Sequence, residues 1–439
     1  MDHQCSSAVH SADPSEPKTE LILDLQAQLE SLRTRVKLEE NADANGIGGI
    51  GVAGKTEGVG LGSGGMTKKI KSKLKMRGCN TRTMHQHSKR YVALKIMYFG
   101  QRFYGFASEA QMDPTIESEI FKALEKTRLT FGDKKDWQYS RCGRTDKGVS
   151  AFGQVIALFL RSAHRERGRS TGVFEGELDY VRMLNRVLPY DIRVMGWCPA
   201  PVDLSARFSC LSREYKYFFW KENLNVLAME TAGRTFVGEH DFRNFCKMDA
   251  ANVHNYRRLI TSFEIFPCNE RFDGDQLWVM KIVGSAFLWH QVRCMVAVLF
   301  LIGQGLETPH VINALLDVVK TPKKPQYKMA PEIPLVLQSC EFESLKFMCS
   351  KDARQTLQLH FEKEYRAYKL QAAIFHEALQ SCLLVDDDDS VLDDGRKKKA
   401  ASYVPLISRP TELGNLDKGR GYMKADAFVV YFAGSSSAF

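Results

Sequence analysis

No two cysteines in this 439-residue chain are spaced as Cys-x-x-Cys, although 11 cysteines are present. Zinc motifs bring their ligands in closely spaced pairs, so this scatter argues against a metal centre. An odd number of widely separated cysteines supplies no disulfide framework and fits reduced thiols inside a cell. Long apolar runs are also missing. The most apolar stretch, Met295 to Ile302, falls far short of the ~20 residues that cross a bilayer. The first 20 residues are polar and acidic, which excludes a secretory signal there. Together these absences exclude a membrane partner and point to the nucleus and/or cytoplasm.

What is present is an ordinary globular composition, 44% hydrophobic and 10% aromatic. The net charge is +9, from 61 Lys and Arg against 52 Asp and Glu. An excess of that size suits a polyanionic partner without requiring one.

The chain begins with a polar region, 1–90. Within it, Ile22, Leu25, Leu29, Leu32 and Val36 alternate spacings of three and four, which predicts a helix over 21–38. The seam covers about two heptads, so it serves either a small amphipathic helix against the main body or a self-association helix. Half of the residues in 46–65 are glycine, the composition of a flexible linker. A basic run over 68–77 (Lys68, Lys69, Lys71, Lys73, Lys75, Arg77) reads as a nuclear address, a phosphate-binding arm or a solvated linker end.

Folded structure is expected from Tyr91. Tyr91 to Tyr98 reads as a strand, and Asp113-Pro114 as an N-cap followed by proline at the first helical position. Trp137 to Cys142 has the composition of a short strand. Gly153 to Leu160 is almost wholly apolar, a strand buried on both faces. A helix marked by Leu178, Val181, Leu184 and Leu188 stops at Pro189. Arg213 to Trp220 alternates as a half-buried strand, Gln276 to Val283 is another, and Trp289 to Ile302 is a helix ended by Gly303. Without a regular βαβ period, a mixed body from about 91 to 347 fits best. Beyond it, Asp386 to Asp389 and Arg396 to Lys399 mark a disordered charged insert, about 385–400. The short apolar stretch Tyr403 to Ile407 is expected to dock back.

Three places carry chemistry. The loop Ser140-Arg141-Cys142-Gly143-Arg144-Thr145-Asp146-Lys147-Gly148-Val149-Ser150 sets Arg141, Arg144 and Lys147 around the single carboxylate of Asp146. Neighbouring cations favour an ionised carboxylate, and a nucleophilic carboxylate must be ionised. The same cations suit phosphates; a solvent-exposed turn with a local salt bridge is the plainer alternative. Arg293, inside the apolar helix, needs a carboxylate partner or a place on the exposed stripe. On the strand Arg213-Glu214-Tyr215-Lys216-Tyr217, Tyr215 and Tyr217 face one side and Lys216 the other, an arrangement for stacking a base or for core packing.

These blocks resemble the TruA-type family of tRNA pseudouridine synthases, from about Tyr91 to Glu343. Tyr98-Phe99-Gly100 with Tyr104-Gly105-Phe106 resembles the family's opening strand and turn. Gly143 to Ala151 resembles its catalytic signature. Ala206-Arg207-Phe208-Ser209 with Arg213 to Tyr217 resembles its central strand. Gly238-Glu239-His240-Asp241-Phe242-Arg243-Asn244-Phe245 and Gly284-Ser285-Ala286-Phe287-Leu288-Trp289-His290-Gln291-Val292-Arg293 complete the set. Many relatives carry Ala, His and Trp where this chain has Lys147, Ser150 and Phe106. Those residues, with Arg141-Cys142, Phe152, Gln154 and the tail Tyr403-Val404-Pro405-Leu406 with Arg409-Pro410, resemble the eukaryotic branch that modifies tRNA uridines 38 and 39.

The resemblance implies an α+β fold: two related lobes (91–204 and 205–347) with mixed, mainly antiparallel sheets flanked by helices, an active cleft between them, and a C-terminal extension, 348–439. It implies uridine isomerisation in the tRNA anticodon stem-loop, with no cofactor or metal, by a homodimer. Asp146 would be the nucleophile and Arg293 the partner that orients it. Tyr215 would pack on the flipped base, and Arg144 would enter the RNA helix. The alternatives are a non-catalytic tRNA-binding protein of the same fold, or the same chemistry at another RNA site.

Overall fold

The computed structural model describes residues 88–109, 112–163, 176–247, 253–343, 345–383 and 403–412. The expected helix at 21–38, the glycine-rich linker, the basic run and the charged insert lie outside them.

Nine strands form one sheet. β1 (Lys89–Tyr98) is followed by helix α1 (Ile116–Lys126), the short β2 (Ser140–Arg141), β3 (Ser150–Arg161), α2 (Tyr180–Asn185) and β4 (Ile192–Pro199). Then come β5 (Ser212–Trp220), α3 (Val226–Arg234), β6 (Gly238–Asp241), β7 (Arg257–Phe272), β8 (Asp275–Gly284), α4 (Gln291–Gly303), α5 (Val311–Leu316), β9 (Leu335–Glu341) and α6 (Lys351–Leu383). The order across the sheet is β4-β1-β3-β9-β5-β8-β7-β6, with β2 pairing beside β3. Every neighbouring pair is antiparallel except β3 and β9, which meet in parallel at Ser150↔Val336 and Ala151↔Leu337. That short junction is the seam between the two halves of the sheet.

Each half has its own core. The apolar run of β3 is buried on both faces, as its composition predicts. Alternate side chains divide between two clusters: Ile156, Leu158 and Leu160 pack under α1 and α2, while Val155 and Ala157 pack on the opposite face with Tyr91, Ala93 and Cys198. In the second half, α4 is hydrophobic nearly all round and lies at the centre of the larger core, with Met280, Ile282 and Phe263 of the sheet against it. The strands meet closely at the seam. A Cβ on Gly153 would lie 2.6 Å from the Gln338 carbonyl oxygen and 2.7 Å from Ser339 Cα, so only glycine allows β9 this near β3.

Three elements differ from expectation. The strand expected over Trp137 to Cys142 shortens to Ser140–Arg141, because Trp137 closes a 3-10 turn, Lys134–Trp137. The N-cap of α1 is Thr115, not Asp113: Thr115 and Ser118 form a reciprocal capping box, and Asp113 instead accepts from the Ser118 hydroxyl at 2.6 Å. The 33-residue α6 was not foreseen. Only Ala353 and Leu357 of it are buried, both in the first core, so it lacks the long apolar stripe that announces a helix. The tail docks where its apolar residues suggest. Leu406 is buried in the second core, and the Tyr403 hydroxyl donates to Glu307 at 2.7 Å. Among the described residues no helix is long and apolar enough to cross a membrane.

Candidate active site

Asp146 lies on the loop between β2 and β3, just before the seam. The loop is held from three directions. Phe106 N–H donates to the Thr145 carbonyl at 3.1 Å, and Gly148 N–H to that of Phe103 at 3.3 Å. The buried Tyr98 hydroxyl meets Thr145 Oγ1 at 2.7 Å. From β3, the fully buried Gln154 accepts from Gly143 N–H at 3.2 Å and donates to the Gly143 carbonyl at 2.9 Å. The aromatic block at 98–106 is thus the scaffold of the loop. On the third side is Glu332, whose Cγ would sit 2.7 Å from a Cβ on Gly148; Gly148 also takes φ +81°, which favours glycine.

The Asp146 carboxylate is 22% exposed. Oδ1 accepts from Trp289 Nε1 at 3.2 Å, and His290 Nε2 lies 3.4 Å from Oδ2. Both residues immediately precede α4, and His290 caps it in a left-handed conformation, φ +60°. That turn of backbone carries the imidazole and the indole back toward the loop of the other half.

The expected ring of cations does not surround the carboxylate. Arg141 donates to Glu117 at 2.6 Å and to Glu109 at 2.7 Å. Arg144 pairs with Glu109 at 3.2 Å and is otherwise in solvent, 64% exposed. The Lys147 ammonium stands 4.7 Å over the Tyr104 ring. Because the tight loop fans its side chains outward, each cation meets a different anion or ring. Arg141 is consequently an anchor, not a free phosphate ligand. Its partner Glu117 is 1% exposed, so Arg141→Ala is expected to cost about 3 kcal/mol of stability, read as a lowered thermal midpoint.

Arg293 likewise has other partners than Asp146. Its Nε donates to the Ala330 carbonyl and its Nη2 to Glu332, both at 2.8 Å. Pointing down from the first turn of α4, the guanidinium meets the segment before β9, and His290 occupies the side facing Asp146. Arg293 therefore reaches the loop through Glu332, which rests on Gly148. Tyr215, on β5, packs against the cores of both halves and lies edge-to-face with Phe287 at 5.0 Å. Burial pushes its hydroxyl far up, and the Asp146 charge contributes to the same shift. Tyr215 lies at the seam within electrostatic reach of Asp146, and beside Asp146 the Trp289 ring is half exposed, with Lys247 4.4 Å over it.

With this geometry in view, the chain can be set beside known proteins. A family model described as tRNA pseudouridine synthase matches residues 232–343. The tRNA pseudouridine synthase A of Methanosphaera stadtmanae is 32% identical over 285 residues, covering 64% of this chain and 94% of that protein. The chain belongs to the tRNA pseudouridine synthase family. Within that family, the tRNA pseudouridine(38/39) synthase of Bos taurus is 46% identical over 310 residues, covering 67% of this chain and 64% of that protein. The protein of the same name from Saccharomyces cerevisiae is 43% identical over 293 residues, covering 63% and 65%. The chain thus spans about 64% of the length of the first of these relatives.

Trp289 and His290 meet Asp146 in space although the sequence alone does not single them out. Their signal is position: an indole and an imidazole next to a helix start, four and three residues ahead of the part-buried Arg293. Glu332 gave no such signal, since nothing local marks it as the arginine's partner.

Proposed function

We propose that this chain isomerises uridine to pseudouridine in the anticodon stem-loop of tRNA, at positions 38 and/or 39, with Asp146 as the catalytic carboxylate. The observation that carries this reading is the Asp146 carboxylate held by Trp289 and His290 at the seam of two α+β halves, partly open to solvent. The similarity to proteins named for uridines 38 and 39 supports the choice of sites.

The reaction breaks the C1′–N1 bond, rotates the uracil and forms C1′–C5; N1 gains a proton and C5 loses one. A stacked base exposes neither atom, so it must first leave the helix, at a cost of a few kcal/mol. Arg144, extended into solvent, is placed to fill the gap. Tyr215 and Phe287 offer an aromatic wall for the flipped base and shield it from water. Trp289 and His290 hold the carboxylate through one hydrogen bond and one close ring nitrogen, which fixes the direction in which it acts. Lys147 contributes positive charge next to the phosphates. We infer further that the protein acts as a homodimer in the nucleus and/or cytoplasm; nine free cysteines among the described residues are in keeping with a reducing compartment.

The test is tritium release from anticodon stem-loops labelled at C5 of uridine, with carbodiimide-stop mapping of the product. Release accompanied by stops at 38 or 39 is the expected result. Stops elsewhere would move the target, and no release from any tRNA would overturn the reading.

A further inference from the structure

Away from the Asp146 carboxylate, three cysteines that the sequence scatters are brought together. The sulfurs of Cys142, Cys210 and Cys340 all lie within 4.8 Å of one another and are buried. All three are free thiols. Cys142 follows β2, Cys210 lies in the loop before β5, and Cys340 is on β9. Around them is the small core on the open face of the first half, formed by Tyr91, Ala93, Val155 and Ala157.

Three sulfurs at mutual reach are the donor set of a thiophilic ion. At a zinc–sulfur distance of about 2.3 Å, sulfurs on a tetrahedral centre stand about 3.8 Å apart, so a contraction of about 1 Å brings the three onto one ion, with a water as the fourth ligand. The electrostatics favour it too. Arg213, paired across the ladder with Cys340, donates through Nη1 to the Cys210 carbonyl at 3.4 Å and through Nη2 to the Cys142 carbonyl at 3.3 Å. Its hydrogen-bond acceptors among the described residues are all backbone carbonyls, so its charge is left to act on the sulfurs. Three thiolates, one guanidinium and one divalent cation sum to zero, the condition under which a buried charged cluster is stable.

We propose that Cys142, Cys210 and Cys340 form a three-thiolate site for one thiophilic metal ion, with Zn2+ the ion that the charge balance favours over Cu+. Binding releases the thiol protons and forms three metal–sulfur bonds, with no change of oxidation state. The role is structural. The ion ties the root of the Asp146 loop to the seam strand and to the loop that carries the exposed Phe208, 81% accessible. It is independent of the isomerisation reading, because the donor set would hold the ion whatever the chain does to RNA.

The experiment uses the full chain, without a histidine tag, purified under reducing conditions and without chelator. Plasma mass spectrometry is expected to find one zinc per chain; one copper per chain would also sustain the three-thiolate site and reassign its ion. Cys142→Ser and Cys340→Ser are each expected to lose the metal, whereas Cys246→Ser, at a buried cysteine of the other core, retains it. Should the serine variants not fold, the wild-type chain stripped of metal and titrated with Co2+ decides: thiolate-to-cobalt charge-transfer bands that saturate at one equivalent are expected, with a thermal midpoint several degrees higher on refilling. No bound metal together with no such bands, or a disulfide between any two of the three, overturns the site.

Discussion

Asp146→Asn is expected to abolish pseudouridine formation, by more than about 10⁴-fold in kcat, while tRNA binding and the thermal midpoint stay close to wild type. The substitution keeps size and shape and removes only the charge. Oδ1 still accepts from Trp289 Nε1. Nothing that holds the loop uses the carboxylate: the bonds to Thr145, Gly148 and Gly143 are main-chain bonds or belong to Gln154 and Tyr98. A folded, RNA-binding but inactive protein is therefore the expected result in filter-binding and tritium-release assays. Product at the wild-type rate would remove the carboxylate from the chemistry.

The second large effect is expected from Arg293→Ala. The truncation deletes the bonds to Ala330 and Glu332 and leaves Glu332 unpaired against Gly148. The loop then loses its third support. A fall in kcat of about 10–100-fold is expected, with KM changed far less, because a misplaced reacting group harms the transition state more than binding. Arg293→Lys should recover only part of it. An ammonium supplies the charge for Glu332 but not the planar fork that bonds a carbonyl and a carboxylate together. The measurement is single-turnover kinetics on stem-loop RNA. Unchanged kcat in Arg293→Ala would show that the chain of contacts through Glu332 does not position Asp146.

These two residues also show how far the sequence could be read. The loop that carries Asp146 was legible because its pattern is local: a polar, glycine-flanked stretch ahead of an apolar run reads as a turn before a buried strand. The strands β3, β5 and β8 and the helix α4 were legible for the same reason, since periodicity is a short-range property. The partner of Arg293 was not. A buried guanidinium announces the need for a carboxylate without saying which, and Glu332 approaches only after β9 has crossed to the seam. The supposed cation cluster failed in the opposite way. Residues close in sequence were assumed close in space, and a tight turn sent Arg141, Arg144 and Lys147 to Glu117, Glu109 and Tyr104 instead. The thiols of Cys142, Cys210 and Cys340 repeat the lesson at longer range, because spacing rules find metal ligands only when the ligands share a loop or a turn.

The junction of β3 with β9 has a consequence for how the protein comes into being. The strand that joins the half carrying the Asp146 loop to the other half is the last in chain order among the described strands. Pairings between distant stretches of chain form late and slowly. Both cores draw residues from β9 or beyond it, Leu335 and Leu406 in the second and Leu337, Ala353 and Leu357 in the first, so neither half is complete until that strand arrives. On the proposed reading, a product that ends before β9 is expected to form no pseudouridine, activity appearing only once the sheet closes.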